Sequence, residues 1–185
     1  MLIFVEGIDK SGKTTFIKEL SRITSIPMYR KYLPRKISDA EFHSYFKGIG
    51  YATVELSKIL DFDLIVDRCF ISDWIYSNRY SDNYNLEIWQ EWESVFNAGN
   101  SLILYFTVSK DTFTYRIKNT LDIYMDKNDY DRYMKLYSTY FNHTNIPVLE
   151  INGEFEFDRQ LEILKSYLLD EERFFRTTLY QKLVI

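Results

Sequence analysis

Five short apolar runs, each separated from the next by a longer helical pattern, constrain the fold of this 185-residue chain more than any other feature. Continuous apolar runs of this length are typical of buried strands in a parallel sheet, because both faces of such a strand are covered. Their alternation with helices predicts an α/β fold, with helices on both faces of a five-stranded parallel sheet. The predicted strands are residues 2–5, 27–33, 64–66, 101–108 and 146–151.

Helical patterns fill the connections between these runs. One helix is expected to begin at a capping box, Ser38-Asp39-Ala40-Glu41, and to bend near Gly48 and Gly50. Because no linker rich in proline, glycine or serine divides the chain, we expect a single domain over residues 1–185. The predicted helices are residues 13–23, 38–60, 70–80, 85–97, 110–120, 129–143, 157–169 and 171–183.

The first predicted strand leads directly into the sequence Gly7-Ile8-Asp9-Lys10-Ser11-Gly12-Lys13-Thr14, and a helix follows. This is the pattern G-x-x-x-x-G-K-T, in which backbone N–H groups and the helix N-terminus form a cradle for phosphate. Lys13 is expected to reach the terminal phosphates of a nucleoside triphosphate, and the Thr14 hydroxyl to ligate Mg²⁺. The pattern predicts the three-layer α/β/α fold of P-loop NTPases. It does not fix the reaction, since switches, motors and small-molecule kinases all use this loop.

The third predicted strand ends in Asp67-Arg68. Residues at the carboxyl ends of parallel strands lie near the same edge of the sheet, beside the phosphate loop. Asp67 is therefore placed to help hold Mg²⁺ or to accept a proton from the acceptor, and Arg68 to bind a second phosphate. An alternative interpretation is that Asp67 caps the following helix and that Arg68 is its surface partner.

At these residues the chain resembles the thymidylate kinase family, within the wider group of nucleotide and deoxynucleoside kinases. The run from Phe4 to Thr15 is similar to the family's E-G-x-D-x-x-G-K-T-T loop, and the run from Asp67 to Tyr76 to its D-R-Y-x-x-S-x-x-A-Y stretch. The resemblance implies a short lid at about residues 116–131 and a homodimer. It also implies phosphoryl transfer from MgATP to a deoxynucleoside monophosphate, with dTMP preferred.

The resemblance further implies roles for individual residues. Asp9 would contact the 3′-hydroxyl of the acceptor, and Tyr76 would pack beneath its deoxyribose. Thr14 and Asp67 would hold Mg²⁺. The residues implied to bind ATP are Gly7, Asp9, Lys10, Ser11, Gly12, Lys13, Thr14 and Thr15. The residues implied to act in catalysis are Lys13, Asp67, Arg68, Lys10 and Arg116. The residues implied to bind the acceptor are Asp9, Arg35, Arg68, Ser72, Asp73 and Tyr76. From composition alone, an aromatic of the helix after Ser38, either Phe42 or Phe46, is expected to stack on the acceptor base.

Among the departures from the family pattern, two bear on the acceptor and on catalysis. Asp73 stands where many members carry Asn or another neutral residue, and a Ser-Asp pair at this place also resembles the deoxynucleoside kinases. The predicted lid is poor in arginine, because Lys118 and Lys127 are the only basic residues of the sequence between Arg116 and Arg132. Lys10, in the phosphate loop, is expected to supply the missing positive charge at the transferring phosphoryl group.

These departures keep other functions open. A deoxynucleoside kinase would phosphorylate a free hydroxyl, with Asp67 as its general base. A kinase acting on a polynucleotide would need a long basic groove, and the acidic remainder of the chain argues against one. A kinase-like regulator would keep the phosphate loop but would not need Arg35, Asp67 and Arg68.

Charge and composition limit the classes of partner that we expect for this chain. The net charge of −4 hides an excess of six positive charges within residues 9–36, which hold eight basic and two acidic side chains. One concentrated basic region favours small phosphorylated substrates over long nucleic acids. With one cysteine, Cys69, no apolar run of membrane-spanning length and no basic leader, a cytoplasmic protein without membrane contact is expected.

Overall fold

The fold is built on parallel strand pairing. The computed structural model describes residues 1–30, 52, 55, 63–77, 93–94, 100–119, 127–174 and 176–184. Within these residues the strands form one parallel sheet in the order β2-β3-β1-β4-β5. The predicted five-stranded α/β fold is therefore confirmed. The strands are β1 (Leu2–Glu6), β2 (Met28–Arg30), β3 (Leu64–Asp67), β4 (Ser101–Thr107) and β5 (Val148–Asn152).

Helices follow the strands along the chain. They are α1 (Lys13–Thr24), α2 (Phe70–Ser77), α3 (Lys110–Lys118), α4 (Tyr130–Phe141), α5 (Phe157–Asp170) and α6 (Thr178–Leu183). Residues 52, 55, 93 and 94 are helical. The rest of the predicted helices over 38–60 and 85–97, including the capping box, lies outside the described residues.

The prediction of one continuous helix over residues 171–183 is wrong. A 3₁₀ turn at Glu172–Phe174 comes first, and α6 begins only after Thr177. The Thr177 hydroxyl accepts a hydrogen bond from the N–H of Tyr180 at 3.2 Å. Thr177 is therefore an N-cap, whose side chain satisfies a donor that the first turn of a helix cannot bond internally.

The sheet separates two apolar layers. On one face β1 packs Phe4 against α2 and α4, and on the other face Ile3 and Val5 pack against α1, α5 and α6. All five residues of β1 are buried, which agrees with the continuous apolar run in the sequence. Among the described helices, none is long and apolar enough to cross a membrane.

The connections bring the functional loops to one edge. From β1 the chain passes to β2 and β3 on one side, then crosses to β4 and β5 on the other. The segments after β1, β3, β4 and β5 therefore meet at the carboxyl edge of the sheet. This is the place where α/β proteins of this topology bind ligands.

Candidate active site at the carboxyl edge of the sheet

The phosphate loop connects β1 directly to α1. Gly7 and Gly12 have positive φ angles of 137° and 96°. A Cβ atom on Gly7 would lie 2.3 Å from the carbonyl oxygen of Phe106, so only glycine fits between β1 and β4 at this point. Helix α1 begins immediately after Gly12, with its free N–H groups at the loop.

The Lys13 side chain folds back into the loop. Its Nζ donates hydrogen bonds to the carbonyl oxygens of Gly7 (2.7 Å) and Ile8 (2.6 Å) and to the Ser11 hydroxyl (3.1 Å). Burial, and then the nearby Arg68 charge, lower the pKa of Lys13 from its usual value to about 7. The loop's own oxygens thus hold the amine at the site where the sequence predicts phosphate binding.

Asp67 ends β3 next to Arg30, the last residue of β2. The Asp67 carboxylate is buried, and its Oδ2 lies 3.6 Å from the Arg30 Nε. The alternative interpretation of Asp67 as the cap of α2, with Arg68 as partner, does not fit this arrangement. The Glu6 carboxylate accepts the N–H groups of Cys69 and Ser72 at the start of α2 instead.

Arg68 gathers several predicted acceptor residues around its guanidinium. It has a positive φ of 67°, forms an ion pair with Asp9, and donates to the hydroxyls of Ser72 (3.1 Å) and Tyr76 (3.2 Å). The Tyr76 hydroxyl donates in turn to Asp9 Oδ2 at 3.2 Å. Burial raises the pKa of Tyr76, so its hydroxyl keeps its proton. The structure therefore brings Asp9, Arg68, Ser72 and Tyr76 into one cluster beside the phosphate loop.

Arg116 approaches the loop from α3. Its Nη1 donates to the carbonyl oxygen of Lys10 at 2.6 Å, and its Nη2 lies 3.5 Å from the carbonyl oxygen of Gly153. Lys10 itself is half-buried, with a φ of 63°. Both predicted cations therefore lie at the phosphate loop, and their catalytic roles stay predictions.

The sequence predicts a turn at Asn152-Gly153, close to the expected adenine site, and the structure places this turn against the phosphate loop. A Cβ atom on Gly153 would lie 1.7 Å from the carbonyl oxygen of Ser11, so this turn packs directly on the phosphate loop. Glu154 Oε1 accepts hydrogen bonds from the N–H (3.2 Å) and hydroxyl (2.6 Å) of Ser109, the N-cap of α3. The contact of this turn with the phosphate loop itself has no signal in the sequence.

Three further residues of the site also had no predicted role. Arg30 belongs to the basic region that the sequence shows, but nothing local pairs it with Asp67. Glu6 matches the first position of the E-G-x-D-x-x-G-K-T-T pattern, but that match assigns it no role. Tyr137, whose hydroxyl contacts Glu6 and the Gly7 N–H, lies among many tyrosines and carries no distinguishing pattern.

A cavity of about 1120 Å³ connects these groups along the sheet edge. The phosphate loop lines it, together with Arg30 and Arg68 at the carboxyl ends of β2 and β3, and with Tyr115, Phe155 and Gln160, which follow β4 and β5 in the chain. Because β1 lies between β3 and β4 in the sheet, these two groups of residues lie on opposite sides of the loop. The volume exceeds the roughly 300–1,000 Å³ of a typical small-molecule site. A cavity of this size suits two substrates that meet at the loop.

The remaining predicted acceptor residues are placed as follows. Asp73 lies buried on α2, and its role stays a prediction. Arg35, Phe42 and Phe46 lie outside the described residues. Residues 120–126, the centre of the predicted lid, also lie outside them.

Comparison with known proteins gives a relative and a set of similar folds. No protein-family model matches the chain. It is 33% identical over 136 residues to the "Putative thymidylate kinase" of Acidianus bottle-shaped virus (isolate Italy/Pozzuoli), a match covering 67% of this chain and 83% of the relative.

Solved structures resemble this chain in fold. The Bacillus subtilis YorR protein in complex with phosphorylated GDP gives a TM-score of 0.69 at 19% identity, covering 92% of this chain and 97% of that chain. A deoxyadenosine kinase from M. mycoides gives 0.64 at 18% identity, covering 92% and 100%. A thymidylate kinase from Candida albicans gives 0.61 at 16% identity, covering 93% and 92%. The similarity extends over nearly the whole chain, so these structures share its fold and support the fold predicted from the sequence.

Proposed function

The chain belongs to the thymidylate kinase family, and from that premise we propose that it transfers the γ-phosphate of MgATP to a deoxynucleoside monophosphate, with dTMP preferred. One observation carries the proposal. A single cavity contains the phosphate loop and, at one end, a cluster of Asp9 and Arg68 that can bind a second phosphorylated substrate. A nucleotide kinase needs its donor and acceptor to meet in this way.

On the donor side, the loop backbone and the α1 N-terminus hold the phosphates of ATP. Lys13 moves from the loop carbonyls to the β- and γ-phosphates, since a phosphate oxygen is a stronger partner for its amine than a neutral carbonyl. Lys10 and Arg116 add positive charge near the group in transfer. Charge that develops on the transferring phosphoryl group is stabilised by these fixed cations.

The residues present fit a magnesium ion. Mg²⁺ prefers oxygen ligands and is usually bound through one or two protein side chains together with substrate phosphates. The Thr14 hydroxyl and the Asp67 carboxylate are oxygen donors of this kind. Among the described residues no group of three or more His, Cys, Asp or Glu could hold a metal ion by itself. When bound between these side chains and the substrate, Mg²⁺ would supply positive charge that offsets the negative charge of the phosphates.

On the acceptor side, Arg68 binds the monophosphate, together with Arg35. Two anionic phosphates repel each other, so the acceptor needs a cation before it can approach ATP. The guanidinium has five N–H donors and can hold Asp9 and a phosphate together. Asp9 then fixes the sugar through the 3′-hydroxyl, and Tyr76 packs beneath the deoxyribose.

A deoxynucleoside kinase is the second candidate. The observation that favours it is the ion pair of Arg68 with Asp9, because this pair leaves no uncompensated charge that would demand an acceptor phosphate. In that function Asp67 would accept the proton of the 5′-hydroxyl.

One assay separates the candidates. The protein is incubated with MgATP and a panel of nucleosides, nucleoside monophosphates and 5′-hydroxyl oligonucleotides, and the phosphorylated products are identified. The proposal expects dTDP from dTMP, and Lys13→Ala should remove the activity. Phosphorylation of thymidine without use of dTMP would establish the second candidate instead. Absence of acceptor-dependent turnover would indicate a nucleotide-binding protein without kinase activity.

A further inference from the structure

Glu6, the last residue of β1, is a fully buried carboxylate beside the phosphate loop. Its Oε1 accepts hydrogen bonds from the backbone N–H groups of Cys69 (2.8 Å) and Ser72 (3.3 Å), and its Oε2 from the Ser72 hydroxyl (2.5 Å). A carboxylate at a helix N-terminus satisfies unbonded N–H groups and is stabilised by the helix dipole. Glu6 thus anchors α2, and with it the turn that carries Arg68, to the central strand.

Tyr137 on α4 contacts the same carboxylate and the phosphate loop. Its hydroxyl donates to Glu6 Oε2 at 3.3 Å and accepts the Gly7 N–H at 3.2 Å. The ring is fully buried and packs on Tyr105 and Phe141, with centroid distances of 5.0 and 5.8 Å. Burial and the Glu6 charge raise the pKa of Tyr137, so the hydroxyl stays protonated and remains a donor.

Ser72 joins this network to the cluster that it forms with Asp9, Arg68 and Tyr76 beside the phosphate loop. Its hydroxyl donates to Glu6 and accepts a hydrogen bond from Arg68 Nη1 at 3.1 Å. A continuous set of hydrogen bonds therefore joins the Gly7 N–H, through Tyr137, Glu6 and Ser72, to the Arg68 guanidinium. In a buried network the loss of one member leaves its neighbours unsatisfied, and the cost is larger than at a solvated site.

We propose that Glu6 couples the phosphate loop to the turn that carries Arg68. Tyr137 is a positioning residue in this coupling, because its hydroxyl joins Glu6 to the Gly7 N–H at the start of the loop. Tyr137 holds the Glu6–Gly7 peptide in one orientation as the loop begins. The next carbonyl, that of Gly7, holds Lys13 at 2.7 Å. A change at Ser72, on the acceptor side, therefore alters nucleotide binding at the loop. The inference rests on the proposed function for nucleotide binding at the loop, and the identity of the acceptor does not enter it.

The first test compares two buried tyrosines on the same helix. Tyr137→Phe keeps the packed ring and removes only the hydroxyl that binds Glu6 and Gly7. We expect the Kd of a non-hydrolysable ATP analogue to rise about 5- to 10-fold, because a buried donor and acceptor each lose a partner. The matched control is Tyr140→Phe, whose equally buried hydroxyl donates to Glu93 Oε2 at 3.0 Å. It should lower the Tm comparably and leave the Kd of the analogue within about twofold.

The second test is a double-mutant cycle on binding of the same analogue. Ser72→Ala should raise the Kd, and Tyr137→Phe in the Ser72→Ala background should have a clearly smaller effect than in the wild type. Additive effects would overturn the coupling, as would an equal rise of the Kd in Tyr140→Phe. If the wild-type protein bound the analogue but did not phosphorylate dTMP, only the proposed acceptor would be wrong. If the wild-type protein did not bind the analogue, both the proposed function and this coupling would be wrong.

Discussion

Arg30 and Asp67 lie side by side at the carboxyl ends of β2 and β3, with the arginine Nε 3.6 Å from the aspartate Oδ2. The Asp67 side chain is 4% exposed and the Arg30 side chain 51%, so solvent reaches the arginine and hardly reaches the carboxylate. A buried carboxylate needs a compensating charge, and Arg30 supplies it. Asp67 would be available as an oxygen ligand for Mg²⁺, and Arg30, which borders the cavity, would be available for a phosphate.

Asp67→Asn tests the metal role of this carboxylate. We expect kcat to fall about 100-fold and the half-activating Mg²⁺ concentration to rise, because the amide is a weak ligand and carries no charge. The measurement is the initial rate against Mg²⁺ concentration at saturating ATP and acceptor. Arg30→Gln is the control, since it removes the partner and keeps the carboxylate. If Arg30→Gln raised the Mg²⁺ requirement as much as Asp67→Asn, the metal role of Asp67 would be wrong.

Arg68→Ala tests the acceptor site. The KM of the acceptor should rise about 10- to 100-fold, because hydrogen bonds between charged groups are lost. ATP binding should change little, since Ser72 keeps its bond to Glu6. Arg159→Ala is a suitable control, because that arginine lies exposed on α5 and pairs only with Glu162 among the contacts described for it, at 2.9 Å. A loss of ATP affinity with an unchanged acceptor KM would move Arg68 from the acceptor site to the donor site.

Local patterns in the sequence predict much of this architecture. The strand, loop and helix around Gly7 and Lys13 are adjacent in the chain, so their pattern predicts both the local structure and a phosphate site, although not the reaction. The contacts that complete the site join distant segments and leave no local trace. Arg30 meets Asp67, Gly153 meets Ser11, and the Tyr137 hydroxyl meets Glu6 across 131 positions. Such pairs depend on strand order, and apolar runs predict strands without fixing their order in the sheet.

Gly153→Ala tests the contact between the turn after β5 and the phosphate loop. The added Cβ would lie 1.7 Å from the Ser11 carbonyl oxygen, so the loop or the turn must shift. We expect ATP affinity to fall by about 10-fold or more and the Tm to decrease, as for an overpacked core position. Asn152→Ala, which removes the Oδ1 acceptor of the Glu154 N–H at 2.8 Å, adds no atom against the loop. It should lower the Tm without lowering ATP affinity, and an equal loss of affinity would contradict the steric explanation.

Glu154 should contribute stability that depends on pH. Its hydrogen bonds with Ser109, and then Thr112, lower the pKa of the carboxyl below its usual value. The contribution is therefore present above the unfolded-state pKa of about 4.3 and is lost as the pH falls through the lower folded-state pKa. Glu154→Gln should lower the Tm slightly at pH 7, and the difference from the wild type should shrink toward pH 3. A difference that stayed constant over this range would show that the charge of Glu154 has no part in it.

Tyr115 and Phe155 should bind the base of the donor nucleotide. They are 70% and 45% exposed, and they border the end of the cavity that lies away from Arg68. Aromatic side chains stack on nucleic-acid bases with a gain that corresponds to about 5- to 10-fold or more in affinity. We expect Tyr115→Ala and Phe155→Ala to raise the KM of ATP by about that factor each, with the acceptor KM unchanged. Leu169→Ala is the control, because Leu169 is also an exposed apolar residue but lies on α5, and it should change neither KM.

Inorganic tripolyphosphate has no base to stack, so its inhibition constant should be the same in the wild type and in the Tyr115→Ala and Phe155→Ala variants. An equal weakening of tripolyphosphate binding would mean that the two aromatics support the phosphate loop rather than the base.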